Sequence, residues 1–276
     1  MRNWKRPPRD SYVAKFVECY WALEKEADDV GINHPKLNPD PAAHLILAGG
    51  EQKYKYTQCG ADQEGYGCHW IVAHKTTYTM DHSQPFIIVG IKFKIGALYS
   101  IYPFTSQPSL DKIINICFNE LIQSDKFELS GLLAQAMEFP EQVCKLLDEI
   151  LQPWLFGCYE DKHSVLIHRA LPLLKSTSIA QIGKSLHCSQ RTIERAFLRV
   201  TKLTLKQYQS MTRLEEMLSY LYSQEGKSIN WVDVAIRFEF SDQPHLIRYL
   251  RKAIGTTPGV YAKQRDLTID TYGDFE

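Results

Sequence analysis

The sequence predicts an α+β fold in which a small antiparallel β-barrel with following helices precedes an all-α C-terminal domain. Three observations carry this: short apolar runs punctuated by glycine up to about Phe93, a change to helical spacing from Leu110 onward, and opposite net charge in the two parts. A chain of 276 residues suits two domains, because domains usually run to about 100–200 residues. The expected division is 1–158 and 159–276.

In the first part the runs Phe16 to Leu23, His44 to Leu47, Tyr54 to Thr57, His69 to Ala73 and Phe86 to Phe93 read as strands, with Gly49-Gly50, Gly60, Gly65 and Gly67 between them. Beyond Leu110, the residues Ile113, Ile114, Cys117, Phe118, Leu121 and Ile122 recur at helical spacing. So do Val143, Leu146, Leu147, Ile150 and Leu151 before Pro153. This second stripe, with Trp154, fits a dimer face or a helix laid on the chain's own barrel, and a homodimer is expected from it.

The second part is helical in pattern throughout. Ile179, Ile182 and Leu186 make one stripe, and Ile193, Phe197 and Val200 make another after a break at His187-Cys188-Ser189. Tyr208, Met211, Leu214, Leu218 and Leu221 continue along a longer helix, for which Gly226 is a candidate C-cap. Val234 and Phe238, then Leu246, Leu250 and Ile254, repeat the short-helix, tight-turn, short-helix plan. The expected units are a first helix-turn-helix at about 178–200, a linker helix at about 205–224 and a second helix-turn-helix at about 231–254. Ser189, and Ser241 or Asp242, can cap the second helix of each unit by accepting an orphan N–H. Pro244 falls in the first turn, where its missing N–H costs nothing.

Charge divides along the same line. Residues 1–160 carry 15 Lys and Arg against 20 Asp and Glu, residues 161–265 carry 17 against 8, and the last eleven add four acids. A basic domain beside an acidic one points to a polyanion partner for the basic part. The outer faces of the two second helices supply the donors: Arg191, Thr192, Glu194, Arg195 and Arg199 in the first, and Gln243, His245, Arg248, Arg251 and Lys252 in the second. A charged face on one isolated helix is more often simply solvated. The same arrangement twice suits two recognition helices, with an apolar side anchored on the domain and donors facing the major groove.

The stretch AIRFEFSDQPHLIRYLRKAIGTTPGVY, residues 235–261, resembles the DNA-binding signature of the AraC/XylS family of transcription regulators through Ala235, Phe240-Ser241-Asp242-Gln243, His245, Arg248, Gly255, Pro258 and Tyr261. The first unit matches more loosely, through Ser189, Arg195, Phe197 and Arg213-Leu214. Glu239 stands where the family has a turn glycine, and Lys202 and Leu205 replace a glycine and a proline. Pro244 and Ile247 occupy positions that are usually polar. The N-terminal half resembles the barrel-type, cupin-like sensor domain that precedes this module, through Tyr20-Trp21, the Pro39 to Leu47 stretch and Gly90-Ile91-Lys92-Phe93. Such domains bind a small effector or mediate dimerisation. Tyr20, Trp21, His44, Trp70 and His74 are the candidate effector contacts. The resemblance implies double-stranded DNA as partner, and RNA polymerase too if the regulator activates.

No cofactor, metal or enzymatic activity is expected. A DNA-repair alkyltransferase carrying such a module needs a Pro-Cys-His-Arg context, which none of the seven cysteines (19, 59, 68, 117, 144, 158 and 188) provides. A cupin metal enzyme needs a tight His-x-His pair, absent around His44, His69, His74 and His82. Cys59, Cys68-His69 and His74 match none of the usual zinc spacings. The scattered cysteines read as free thiols. With no apolar run near the roughly 20 residues of a spanning helix and no apolar leader, the chain reads as cytoplasmic, with no membrane partner.

Overall fold

A computed structural model of the chain describes all residues except 30, 59, 102–109, 126, 176, 225–227 and 269–276; Cys59 and the candidate cap Gly226 thus lie outside the described residues. The N-terminal part holds strands β1 (Arg2–Arg6), β2 (Val17–Lys25), β3 (Lys36–Leu37), β4 (His44–Leu47), β5 (Lys53–Gln58), β6 (Ala61–Tyr66), β7 (His69–Ile71), β8 (Tyr78–Met80), β9 (Phe86–Phe93) and β10 (Ile113–Asn115). They form two antiparallel sheets, ordered β1-β2-β9-β4-β7-β10 and β3-β8-β5-β6. β4 and β9 are central and covered on both faces, which is why they read as nearly continuous apolar runs. In β5 the sequence KYKYTQ alternates, with Tyr54 and Tyr56 turned inward and the lysines outward. The inner faces of the sheets meet in a cluster including Leu23, Ile46, Tyr56, Tyr78, Phe86 and Ile88. Gly90 on β9 is required by a close approach, since a Cβ there would fall 1.9 Å from the Trp21 ring.

Four helices follow: α1 (Ala97–Ser100), α2 (Phe118–Leu121), α3 (Leu129–Gln135) and α4 (Pro140–Leu155). The helix expected over Ile113 to Ile122 is instead β10 followed by the single turn α2. Ile114 pairs opposite Trp70, and β10 covers the edge that β7 would otherwise leave open. α4 runs two residues past Pro153, because a proline in the last turn withholds one N–H without breaking the earlier bonds. The α4 stripe is spent within the chain. Val143, Leu147 and Leu151 are buried in one core with Tyr20, Leu45, Trp70 and Phe93, while Leu146 stays exposed. At the centre of this packing the buried Asp148 accepts hydrogen bonds from the Arg9 N–H (2.8 Å), the Asp10 N–H (3.0 Å) and the Tyr20 hydroxyl (2.6 Å).

The remaining helices are α5 (Lys162–Ala170), α6 (Ile179–Ser185), α7 (Gln190–Thr201), α8 (Leu205–Ser223), α9 (Trp231–Arg237), α10 (Gln243–Ile254) and α11 (Pro258–Gln264). Side chains cap them where the sequence places hydroxyls and amides: Ser178 and Thr204 in capping boxes with Gln181 and Gln207, and Ser189, Asn230 and Thr257 singly. Each helix-turn-helix unit has its own core. Ile182, Ile193, Phe197 and Val200 pack with α5 in one, and Val234, Phe238, Leu246 and Leu250 pack with Tyr261 in the other. α8 belongs to both, burying Leu205, Tyr208 and Met211 in the first and Leu214, Met217, Leu218 and Leu221 in the second.

Among the described residues, three groups of contacts join the helical part to the barrel. Ile95, Tyr99 and Leu110 pack on the first unit, and Tyr99 donates its hydroxyl to Asp161 (2.8 Å) while accepting from the Arg199 Nε–H (2.8 Å). The Thr77 hydroxyl donates to the Ala253 carbonyl at the end of α10 (2.8 Å). The chain after α11 then returns to β3: the Lys36 N–H donates to the Asp266 carbonyl (2.7 Å), Lys36 bridges Leu267 in parallel, and the Thr268 hydroxyl donates to Asn38 (3.2 Å). Among the described residues no helix is long and apolar enough to cross a membrane.

Candidate functional site

α7 and α10 are each 12 residues long and strongly two-faced. α7 buries Ile193, Ala196, Phe197 and Val200 and exposes Arg191, Thr192, Glu194, Arg195 and Arg199. α10 buries Leu246, Leu250 and Ile254 and exposes Gln243, Arg248, Arg251 and Lys252, with His245 half-buried. Not all of these side chains are equally available. Glu194 accepts from Gln190 (2.8 Å), Thr192 pairs with the cap Ser189 (2.8 Å), and Arg199 is held by Tyr99 of the barrel part. Arg191, Arg195, Arg248 and Arg251 carry no hydrogen bond or ion pair among the described residues. Asp242, rather than Ser241, caps α10. It accepts from the His245 N–H (2.6 Å), and that bond holds its carboxyl below the usual carboxylate range.

α10 is fixed to α8 by stacked rings and cations. The Arg213 guanidinium lies over Phe240 (4.4 Å) and Tyr249 (5.2 Å), and the Tyr249 hydroxyl bonds Ser210. The turns with missing glycines keep a left-handed residue: Lys202 at φ 60°, Glu239 at φ 56° and also His187 at φ 52°. Each costs on the order of 1–2 kcal/mol relative to glycine.

Between the two sheets lies a narrow cavity of about 60 Å³, walled by Trp21, His44 and Lys92 from one sheet and Tyr54, Tyr56 and Met80 from the other, with Thr268 among its lining. Trp21 and His44, expected as effector contacts, are therefore at the cavity. Tyr20, Trp70 and His74 are not. Tyr20 is bonded to Asp148, Trp70 packs on Phe93 at 5.1 Å, and the His74 ring bonds the Asn38 carbonyl (2.9 Å). Tyr54, Lys92 and Thr268 are not among the expected contacts. The alternation in KYKYTQ signals the inward tyrosines, whereas nothing local marks Thr268.

One rim of the cavity is an ionic chain: Trp21 Nε1–H donates to His44 Nδ1 (3.3 Å), His44 Nε2 meets Asp40 (3.0 Å), and Asp40 meets Lys92 Nζ (3.2 Å). Burial alone would raise the Asp40 carboxyl, but Lys92, His44 and the Ala42 N–H together hold it below the usual carboxylate range. Burial pushes His82 and His69 down to about 4, so both rings are neutral near pH 7. The His69 ring is used by the Tyr56 hydroxyl (2.7 Å) and the Gly67 carbonyl (2.9 Å).

Residues 182–264 match the sequence profile of a helix-turn-helix domain family, a span that takes in both two-faced helices. The C-terminal part of this chain is an AraC-type helix-turn-helix domain. Residues 6–115 match a second profile, described only as a domain of unknown function. The chain is 29% identical over 129 residues to YidL, an uncharacterized HTH-type transcriptional regulator of Escherichia coli K12; the match covers 44% of this chain and 42% of that relative's length. Among solved structures it is similar to ToxT from Vibrio cholerae, with a TM-score of 0.42, 11% identity, and coverage of 84% of this chain and 96% of that one. ToxT from the same organism bound to an unsaturated fatty acid gives a TM-score of 0.40 at 10% identity, covering 92% and 97%. Within the AraC-type domain, the free arginines of α7 and α10 are the side chains whose chemistry suits paired acceptors on a base edge.

Proposed function

We propose that the chain is a sequence-specific DNA-binding transcription regulator in which α7 and α10 read the major groove and the barrel cavity receives a small effector. The observation that carries this is the repetition of one device: a capped 12-residue helix with a buried apolar side and unpaired arginines outside, built twice on a shared helix. α8, with 19 residues, is about 28 Å long at 1.5 Å per residue. That approaches the roughly 34 Å between successive major-groove faces of B-DNA.

The test is selection of DNA fragments by the purified full chain, followed by affinity measurements with Arg195→Ala and Arg248→Ala. Each substitution is expected to weaken binding to the selected site by about 1–3 kcal/mol and to leave thermal melting unchanged. An equal loss on random DNA would show that these side chains meet only phosphates.

Homodimerisation belongs to the same proposal, with a reduced basis. The inward side of the α4 stripe is occupied, so the pairing face must be made from what remains outside, such as Leu146, Phe139 and Phe156. Light scattering at micromolar concentration is expected to give twice the chain mass. A monomer that persists on DNA refutes the dimer.

A further inference from the structure

Between Met211 and Leu214, α8 passes from one helix-turn-helix core to the other. There Arg213 reaches two rings of the second unit at once: Phe240, in the turn before α10, at 4.4 Å and Tyr249, on α10, at 5.2 Å. The two rings lie 5.1 Å apart, and Phe240 also meets the His245 ring edge-on at 5.3 Å. Ser210, one turn before Arg213, holds the Tyr249 hydroxyl. The buried Arg213 Nε has no hydrogen-bond partner among the described residues, so the guanidinium rests on the two rings and the Tyr249 hydroxyl.

These contacts differ in kind from the core beneath them. Leu246 and Leu250 keep α10 on α8 by apolar burial with Leu214 and Leu218, and such burial is non-directional, so it tolerates a change of tilt. A guanidinium plane against two rings has a preferred geometry. Beside it lies a cleft of about 600 Å³, bordered by Tyr208 and Arg213 of α8 and by Phe238 and Glu239 of the second unit. α7 is referred to the same stretch of α8, since the Phe197 ring packs on Tyr208 at 5.3 Å. Arg248 precedes Tyr249 in the chain, so the rotation of α10 that Tyr249 fixes is also the rotation that aims Arg248.

We propose that Arg213 is a positioning residue for DNA recognition: its guanidinium, laid against Phe240 and Tyr249, fixes the tilt of α10 on α8 and thereby the spacing of the two DNA segments that one chain accepts. This deepens the reading of α7 and α10 as groove readers and rests on it.

The test uses the full chain and the DNA site selected by it, together with the same site carrying one base pair inserted between the two segments protected in a footprint. The insertion moves one segment by about 3.4 Å and turns it by about 35°, and the parent chain is expected to bind it roughly tenfold more weakly, the loss of one good base contact. Arg213→Met, which removes the plane and the charge, should lower affinity for the selected site and leave the inserted site nearly unchanged, so that the preference for spacing falls to about twofold or less. Arg213→Lys keeps the charge without the plane and should lose the preference as well. It also serves as the gentler variant if Arg213→Met does not fold. A preference retained in either folded variant, an equal loss on both sites, or full rescue by Arg213→Lys overturns the proposal, the last by assigning Arg213 to a phosphate instead. A parent chain that protects one groove only, or binds both spacings equally, overturns the two-groove reading and this proposal together; failure in the variants alone leaves that reading standing.

Discussion

Replacing Asp40 with alanine is expected to cost about 3–5 kcal/mol of stability, the range for removing one partner of a buried ion pair. Asp40 is 7% exposed and Lys92 5%, and the carboxylate also accepts from the Ala42 N–H (2.7 Å) and meets His44. Its removal takes from the Lys92 ammonium its nearer carboxylate, Glu18 lying at 4.0 Å. Urea unfolding at pH 7 measures the loss. The double variant Asp40→Ala with Lys92→Met should recover most of it, since an apolar replacement of both partners is often neutral. A loss below about 1 kcal/mol in the single variant would mean that water reaches the pair and screens it as it does a surface pair.

The second large effect is on pH. His69 and His82 have folded pKa values of about 4 against an ordinary 6.5, both lowered first by burial, and His74 is lowered in the same direction. Between pH 6.5 and 4 the unfolded chain therefore binds more protons than the folded one, so stability is fully present above 6.5 and falls as the pH drops toward 4. At about pH 4.5 each of the first two rings should have removed about 2–3 kcal/mol. The Asp40 carboxylate adds a further loss only at lower pH, below the ordinary carboxylate range. Urea midpoints at about pH 7 and pH 4.5 check this. A His82→Asn variant should lose part of the pH dependence, and a parent chain equally stable at both pH values would contradict the neutral-imidazole assignment.

How much of this is legible in the sequence depends on whether the information is local. β4 and β9 have the expected bounds because central strands are apolar along their length. The caps Ser189 and Asp242 lie next to the helices they start, and the turns at Glu239 and Lys202 keep a left-handed backbone although neither residue is a glycine. β1 escapes a pattern reading because an edge strand of sequence RNWKR buries only Trp4. The segment at Ile113 imitates a helix because two adjacent apolar residues followed by Cys117 and Phe118 satisfy a helical spacing, while the edge of β7 that recruits it lies far earlier in the chain. The cavity is the least legible feature. Tyr20 and Trp21 are neighbours in sequence but point to opposite faces of β2, one to Asp148 and one to the cavity, and strand parity has to be known before they can be told apart.

The return of the chain from α11 to β3 has a mechanical consequence. The AraC-type domain leaves the barrel at Asp161, beside Tyr99, and is fastened again at Asp266 and Leu267 on Lys36. With the Thr77 hydrogen bond to Ala253 as a third fastening, the domain cannot slide along its support without breaking at least one of them. Rotation about the line from α5 to the 266–268 segment would spare the contacts at its two ends and load the single Thr77 bond. α7 and α10, proposed above to read DNA, would then swing together, and a change at the Thr268 end of the axis would alter the angle at which both are presented.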